Sequence, residues 1–440
     1  MSTAELRQDS RLLSTQPAKD AVSPFSPVRI GPLTLRNRFI KSATNEGMAR
    51  GGVPSQMLVK HHAAIAAGGV GMTTVAYCAV SADGRTFADQ LNLEPRVVPG
   101  LRALTDSVHR HGAAACSQVT HAGAFTFLPK LGTKWPLSAS SGVNTAAAVG
   151  GRLFRQAMSE ASIERIASEF ATASKIAREA GFDAVEIHMG HGYLLSQFLS
   201  PRYNRRKDRY GGDLLRRTFF PALVLRRVLD AVGRDVAVTC KLCSTEGFRG
   251  GANAEDAARV ARILEAEGAH LLVLSGGMNI ESPWVMFGNA LPADAVTPPK
   301  SPLIRLASRF LKADSPKGLE FREMYLLEHS RKVRAAVRMP LAYLGGAKSL
   351  AAVHTAMAEG FDCVAMGRAL IHDPNLVNKY RVGAETTSGC TACNRCVVMM
   401  YSPGGTSCVL REPNDAALNS TPAAGETDAG PGPGPKGIGQ

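Results

Sequence analysis

The stretch DAVEIHMGHGYLLSQFLSPRYNRRKDRYGG, residues 183–212, decides how the rest of the chain is read. It opens as a buried strand, Ala184-Val185-Glu186-Ile187-His188, and breaks at Gly190 and Gly192, which permit a sharp turn. His188 is the last residue in strand parity, and His191 follows the first glycine. Both rings are therefore expected to face one small volume above the strand end, with Tyr193 one step behind. Two neutral donors and a phenolic proton suit a substrate oxygen that must be polarised and a neighbouring carbon that must be protonated. A metal-binding pair, or two unrelated polar turn residues, is the alternative reading of the same histidines.

Working outward, the pattern alternates between strand and helix. Before this stretch come a short apolar strand at 38–44, a helix at 54–68 and a β-branched run at 71–80. A helix at 98–111, a strand at 113–119 and a helix at 162–180 follow, with the Pro/Gly/Ser-rich segment 125–151 read as a long loop. After it come helix 214–232, strand 235–243, helix 254–267, strand 269–276, helix 319–337, strand 341–344, helix 350–359 and strand 363–366. Strands this uniformly apolar, each followed by a helix, imply a parallel sheet covered on its outer face. The count fits an α/β fold of the (β/α)8 TIM-barrel type, with a long insertion after strand 6 (278–317) and a Cys-rich C-terminal cap. A doubly wound sheet is the competitor. It would need a Gly-rich loop after a strand, whereas Gly68-Gly69-Val70-Gly71 precedes one. The expected organisation is a disordered leader at 1–24, the barrel at 25–385, the cap at 386–413 and a disordered Ala/Gly/Pro-rich tail at 414–440.

Composition narrows the class. The chain has 440 residues, 45% hydrophobic and 20% charged, enough to bury a large core. Nothing in it reads as a membrane span, and the first residues lack the apolar region of a signal peptide, so a cytoplasmic protein is expected. Nine cysteines, an odd number, point to reduced thiols rather than a disulfide framework. The formal charge of +14 raises the question of nucleic acid, but the basic residues are dispersed and only 6% are aromatic. No nucleic-acid or membrane partner is expected. The densest basic run, 202–209, follows the His/Tyr turn and would steer an anionic cofactor or substrate toward it.

In a barrel, chemistry collects at the C-terminal ends of the strands. Those ends carry Ala43 and Thr44 (strand 1), Gln118 and His121 (strand 3), His188, His191 and Tyr193 (strand 4), and Lys241 (strand 5). Strands 6, 7 and 8 end in Gly276-Gly277, Gly345-Gly346 and Gly367-Arg368. The glycines after strands 7 and 8 leave backbone N–H groups open to a phosphate, and Arg368 offers a bidentate grip. A flavin would use the remaining ends. Gln118 would pair with the amide edge of its pyrimidine, Lys241 would place charge near N1 and the C2 carbonyl, and Thr44 would bond near the C4 oxygen. Lys241 could equally form an interior ion pair with Glu186 or serve as a Schiff-base lysine.

At this point a resemblance can be stated. HMGHGYLLSQFLSPRYNRRKDRYGGDLLRR, PLTLRNRFIKSAT, QVTHAG, KLCSTEGFRGG and GGAKSLAAVHTAMAEGFDCVAMGRALIHDPNL resemble, in this order, the motifs of the old yellow enzyme family. That resemblance implies an NADH:flavin oxidoreductase or FMN-dependent ene-reductase, taking hydride from NAD(P)H and passing it through FMN to an α,β-unsaturated carbonyl. His188 and His191 would hold the carbonyl oxygen and Tyr193 would protonate the α-carbon. Ala43, Thr44, Gln118, Lys241, Gly345, Gly346, Gly367 and Arg368 would contact FMN. Many members have arginine where Lys241 stands, and lysine keeps the charge but not the planar fork.

Cys390-x2-Cys393-x2-Cys396-x11-Cys408 resembles the iron–sulfur loop of the larger members. An Fe–S cluster, zinc and reduced thiols in a packed cap are all open, with reduced thiols the expectation here and no metal assigned. Other readings of the barrel are a flavin-dependent demethylase or dehydrogenase, a non-redox lyase using Lys241, and a non-catalytic flavin binder.

Overall fold

The computed structural model describes residues 22–145, 147–148, 151–292, 315–316, 318–400 and 402–411. The described residues as far as Val409 form one compact unit; the second unit, 410–440, lies almost wholly outside the described residues, as do most of the leader, the tail and positions 293–314 of the insertion.

Eight parallel strands close into a barrel. They are β1 (Phe39–Lys41), β2 (Met72–Ala79), β3 (Ala114–Thr120), β4 (Ala184–His188), β5 (Ala237–Cys243), β6 (Leu271–Ser275), β7 (Leu341–Tyr343) and β8 (Cys363–Met366). Pairing runs β1 to β8 in chain order, and β8 closes back on β1 through Val364↔Phe39 and Met366↔Lys41. Around them lie α1 (Gln56–Ala67), α2 (Val98–His109), α3 (Glu160–Glu179), α4 (Leu214–Val232), α5 (Ala254–Ala266), α6 (Leu327–Arg334), α7 (Leu350–Ala358) and α8 (Leu376–Val382). This is the (β/α)8 architecture read from the alternation. Local chemistry sets the helix starts. Ser55, Ser159, Asp213, Asn253 and Ser349 each accept a first-turn N–H on their side-chain oxygen, and Asn253 and Asp256 form a reciprocal capping box.

The barrel interior is graded. At its N-terminal end Ile40, Cys116, Ala184, Ala237, Leu271, Ala342 and Cys363 form an apolar layer. A hairpin, Val28–Ile30 paired with Leu33–Leu35, adds Val28, Ile30 and Leu35 to that layer and plugs the bottom. One step up, the inward side chains are Gln118, Glu186 and Lys241, all buried. Register places Glu186 beside Gln118 and His188 beside Lys241. Strand periodicity therefore carries the chain from a greasy floor to a polar mouth.

Three expectations are corrected. The segment 125–151 is not simply a loop: Leu137–Ser138 and Gly142–Val143 both pair with Phe154–Ala157 in a three-stranded sheet. Those pairings are too short and non-local to show as a period in the sequence. The helix expected at 319–337 is only Leu327–Arg334. Ahead of it the Glu323 carboxylate accepts the N–H groups of Lys348 and Ser349 and the Ser349 hydroxyl, at 2.7 to 2.9 Å, and Met324 takes a left-handed φ of 59°. That tie draws the segment toward the start of α7 instead of letting it coil. Strand 1 is Phe39–Lys41, shorter than the 38–44 run: Ser42 N–H still makes a ladder bond to Met366 O, and the chain beyond it runs without strand pairing.

Gly68, after α1, lies tightly against the turn before α8; an added Cβ would sit 1.7 Å from the Pro374 carbonyl oxygen. Gly68→Ala is expected to destabilise the protein by about 1–3 kcal/mol through overpacking, read as a lower urea midpoint. An unchanged midpoint would mean that this junction is not closely packed.

Candidate active site

The end of β4 turns sharply into a short helix, Leu194–Leu199. Gly190 is required by space: a Cβ there would lie 2.9 Å from the Cys243 sulfur at the end of β5. His191 adopts φ 63° and Gly192 φ 86°, and Gln197 Nε2 donates to Gly192 O at 2.7 Å, locking the turn. This geometry throws both imidazoles to one side. The His188 and His191 ring centres lie 5.0 Å apart, nearly perpendicular, and Tyr193 lies 4.8 Å from His188. Tyr193 is flanked by Tyr77 at 5.2 Å and Phe125 at 5.7 Å.

Hydrogen bonds fix how the imidazoles present themselves. His188 Nδ1 accepts the Gly190 N–H at 3.3 Å, so the neutral ring carries its proton on Nε2. His191 Nε2 is tied to Ser275 Oγ at 2.8 Å. Burial, then the neighbouring His191 and Lys241, hold the His188 pKa well below the ordinary imidazole value; burial and Lys241 push that of His191 down to about 3. Both rings are therefore neutral at physiological pH, each with one N–H to donate.

Beneath them is a network of buried charge. Lys241 Nζ lies 3.2 Å from Glu186 Oε1, Gln118 Nε2 donates to the same oxygen at 2.7 Å, and Lys241 also reaches Ser42 Oγ at 3.3 Å. The interior ion pair is thus the arrangement seen for Lys241. Gln118 commits an amide hydrogen to Glu186, which orients the side chain and leaves its carbonyl oxygen to accept. A second buried pair, Lys41–Glu46, was not anticipated. Glu46 also takes the Ala76 N–H at 3.0 Å and the Thr44 hydroxyl at 3.2 Å. Burial drives the Lys41 pKa down and the Glu46 pKa up, and their mutual attraction opposes both shifts.

The strand 7 and 8 ends adjoin through β7–β8 pairing. A Cβ on Gly367 would approach the Thr44 methyl group at 3.5 Å, and one on Gly346 would meet the rings of Tyr325 and Phe321 at 2.8 and 3.0 Å. Arg368 does not lie open here. Its guanidinium bonds Asn394 Oδ1 and sits 5.4 Å over the Phe321 ring. In the cap, burial pushes the Cys396 thiol up to about 12, with Cys390, Cys408 and Cys393 close enough to add to it and Arg368 opposing.

Tyr77, Phe125, Ser275 and the Lys41–Glu46 pair escaped the sequence reading. A lysine inside the apolar strand Phe39–Lys41 was the available signal for that pair. His121, a strand 3 residue, stands apart from the histidine pair. With Asp83 and Glu169 it forms the single metal-like trio among the described residues, their ligand atoms within 4.8 Å of one another. Its Nδ1 accepts the Gly123 N–H at 3.0 Å, so its buried Nε2 carries hydrogen and is a donor rather than a ligand.

Residues 23–282 match the NADH:flavin oxidoreductase / NADH oxidase family. This chain belongs to that family. It is a flavin-dependent oxidoreductase of the old yellow enzyme type. Among its relatives is the 4,4'-dithiodibutanoate disulfide reductase of Rhodococcus erythropolis, 40% identical over 394 residues, 89% of this chain and 95% of that protein. The multifunctional alkene reductase/demethylase OYE of Caballeronia cordobensis is 29% identical over 369 residues, 82% of this chain. The chain spans only 49% of that protein's length. Morphinone reductase shares the fold at a TM-score of 0.66 and 20% identity, over 84% of this chain and 92% of that one. Among the described residues, no helix is long and apolar enough to cross a membrane.

Because the folded pKa of each site histidine lies below its unfolded value near 6.5, the unfolded chain takes up protons that the folded one refuses. Their stabilising contribution is complete above that pH and erodes below it, for His191 over the span from about 6.5 down to about 3. With 13C-labelled histidine, the His188 and His191 resonances should keep neutral-imidazole shifts down to about pH 5. Titration of either near its ordinary value would contradict the burial argument.

Proposed function

We propose that this chain is an FMN-dependent reductase that takes hydride from NADH or NADPH and delivers it to an activated alkene, such as an α,β-unsaturated carbonyl. The observation that carries the reading is the neutral His188/His191 pair, with Tyr193 against it, directly above the Lys241–Glu186–Gln118 network.

The donor set suits a flavin. Gln118, its amide nitrogen held by Glu186, would accept from the pyrimidine N–H. Lys241 would supply positive charge beside the N1 edge, and Ala43 and Thr44 would border the C4 edge. Gly345, Gly346 and Gly367 would offer backbone N–H groups to the phosphate. Arg368 would join them by exchanging its Asn394 partner for phosphate oxygen. Bound there, a flavin would supply two-electron, hydride-transfer chemistry between nicotinamide and alkene.

The protein's own residues do the rest. His188 and His191 each donate an N–H to the substrate oxygen and stabilise the negative charge that gathers on it. Their neutrality matters, because an imidazolium beside Lys241 would be driven off by like-charge repulsion. Tyr193, its ring 4.8 Å from that of His188, delivers a proton to the α-carbon. Tyr77 and Phe125 hold its ring and exclude water. A supply of reduced nicotinamide fits a cytoplasmic enzyme.

A second reading, reduction of a disulfide bond, draws its support from the 40%-identical Rhodococcus relative of nearly the same length. In it the same N–H donors would face a departing thiolate. A demethylase or dehydrogenase role finds its parallel in the Caballeronia relative's name.

Tyr193→Phe separates these readings. In stopped-flow measurements on FMN-loaded protein, flavin reduction by the nicotinamide should be nearly unchanged, while reoxidation by an enone should slow by about 100-fold or more, the usual weight of a general acid. Equal losses in both half-reactions would remove the proton-donor role. Reoxidation by a disulfide but not by any enone would favour the second reading.

A further inference from the structure

Beside the mouth, Arg155 and Arg205, from two different strand-to-helix connections, meet at one serine, and Arg202 lies near enough to Arg155 to act on its charge. The Arg155 Nε donates to Ser140 O at 3.2 Å, and the Arg205 backbone N–H bonds Ser140 Oγ at 2.9 Å. Arg155 belongs to the small sheet after β3, on strand Phe154–Ala157; Arg202 and Arg205 follow the helix that begins just after Tyr193. The Arg155 guanidinium carbon lies over the Tyr203 ring, 4.6 Å from its centre. Tyr203 is itself buried and fixed by donating its hydroxyl to Glu281. Glu281 lies three residues beyond Met278, which bridges to His191, so this cluster is joined to the catalytic turn.

The charge is not balanced locally. Among the described residues none of Arg155, Arg202 and Arg205 makes an ion pair, whereas Arg206 and Arg209 next to them do. Arg206 holds Asp208 and the carbonyl oxygens of Ala139 and Met158, a structural role. Arg155 differs in being partly buried. With its Nε bonded to Ser140 O and its guanidinium held over the Tyr203 ring, its two terminal nitrogens remain as a fork. Burial holds its pKa below the ordinary guanidinium value; Tyr203 and Glu281 pull it back up, and Arg202 and Arg205 press it down. A preset fork without a counter-ion, beside two exposed arginines, is what recognition of a carboxylate or phosphate requires.

We propose that Arg155, assisted by Arg202 and Arg205, is an anion subsite that selects ligands carrying a negatively charged oxygen group at the end remote from the reacting bond. Two sources share that chemistry: a carboxylate on the substrate that is reduced, and the 2′-phosphate that distinguishes NADPH from NADH. The inference rests on the mouth being the place of reduction.

The test compares paired ligands on the FMN-loaded enzyme at low ionic strength. N-(carboxymethyl)maleimide is set against its methyl ester, and NADPH against NADH, in wild type, Arg155→Lys, Arg155→Ala and the double variant Arg202→Gln/Arg205→Gln. Each comparison is a ratio within one protein, so partial loss of folded enzyme cancels, and the double variant alters only exposed side chains. A carboxylate source predicts that wild type prefers the acid over the ester in kcat/KM by on the order of tenfold. Added salt and each variant would shrink that ratio, with Arg155→Lys intermediate. A phosphate source predicts the same loss in the NADPH/NADH ratio with the maleimide ratio unmoved. Both ratios staying constant across all variants would overturn the subsite while leaving the reductase reading intact. No reduction of either maleimide by wild type would count against the reductase reading, and the same ratios measured as dissociation constants by calorimetry would then still decide the subsite.

Discussion

A closed barrel of parallel strands must fill its own interior, and this one does so in two ways. The lower half is packed with small and branched apolar side chains, capped by the hairpin that brings Val28, Ile30 and Leu35 underneath. The upper half holds Lys241 against Glu186 and Lys41 against Glu46, out of contact with solvent. Buried ions are tolerable only when paired and hydrogen-bonded, and each of these carboxylates has further donors: Gln118 on Glu186, and Ala76 N–H and Thr44 on Glu46. Everything at the mouth depends on this layer. It fixes the orientation of Gln118, and it places a cation where it disfavours any added positive charge.

That second effect explains the histidines. Two imidazoles 5 Å apart, buried beside a lysine, lose their affinity for protons and become fixed neutral donors. A site of this kind polarises an oxygen without giving up a proton to it, so in the proposed reaction the proton would come from elsewhere, and Tyr193, against His188, is the group that would supply it. The division of labour follows from electrostatics rather than from the identity of the substrate. It also explains how one barrel can serve relatives whose names describe disulfide reduction, alkene reduction and demethylation.

Much of this was legible in the residues. Near-uniform apolar strands followed by capped amphipathic helices announce a covered parallel sheet, and the HMGHGY turn announces its own geometry through the glycines. Glu186 and His188 share strand parity, which places the ion pair and the donor on one wall. What the sequence hid was non-local. The sheet built from 137–138, 142–143 and 154–157 depends on two-residue pairings that have no period to detect. The break before α6 comes from one carboxylate, Glu323, reaching a different helix start. The Lys41–Glu46 pair joins residues five apart on either side of a turn, and a lysine in a strand gives no hint of its partner. The Asn394 partner of Arg368, the residue read as a grip for phosphate, sits on a segment whose place in the fold no local pattern sets.

The central claim is that a flavin lies over the charged layer with the neutral imidazoles above it. Its most direct test is the visible absorption of the FMN-reconstituted protein under anaerobic conditions, followed through addition of NADPH or NADH and then of an activated alkene. The account predicts a flavin spectrum that bleaches with the nicotinamide and returns in full with the alkene. Protein that stays colourless after reconstitution, or a flavin band that neither nicotinamide bleaches, would contradict it.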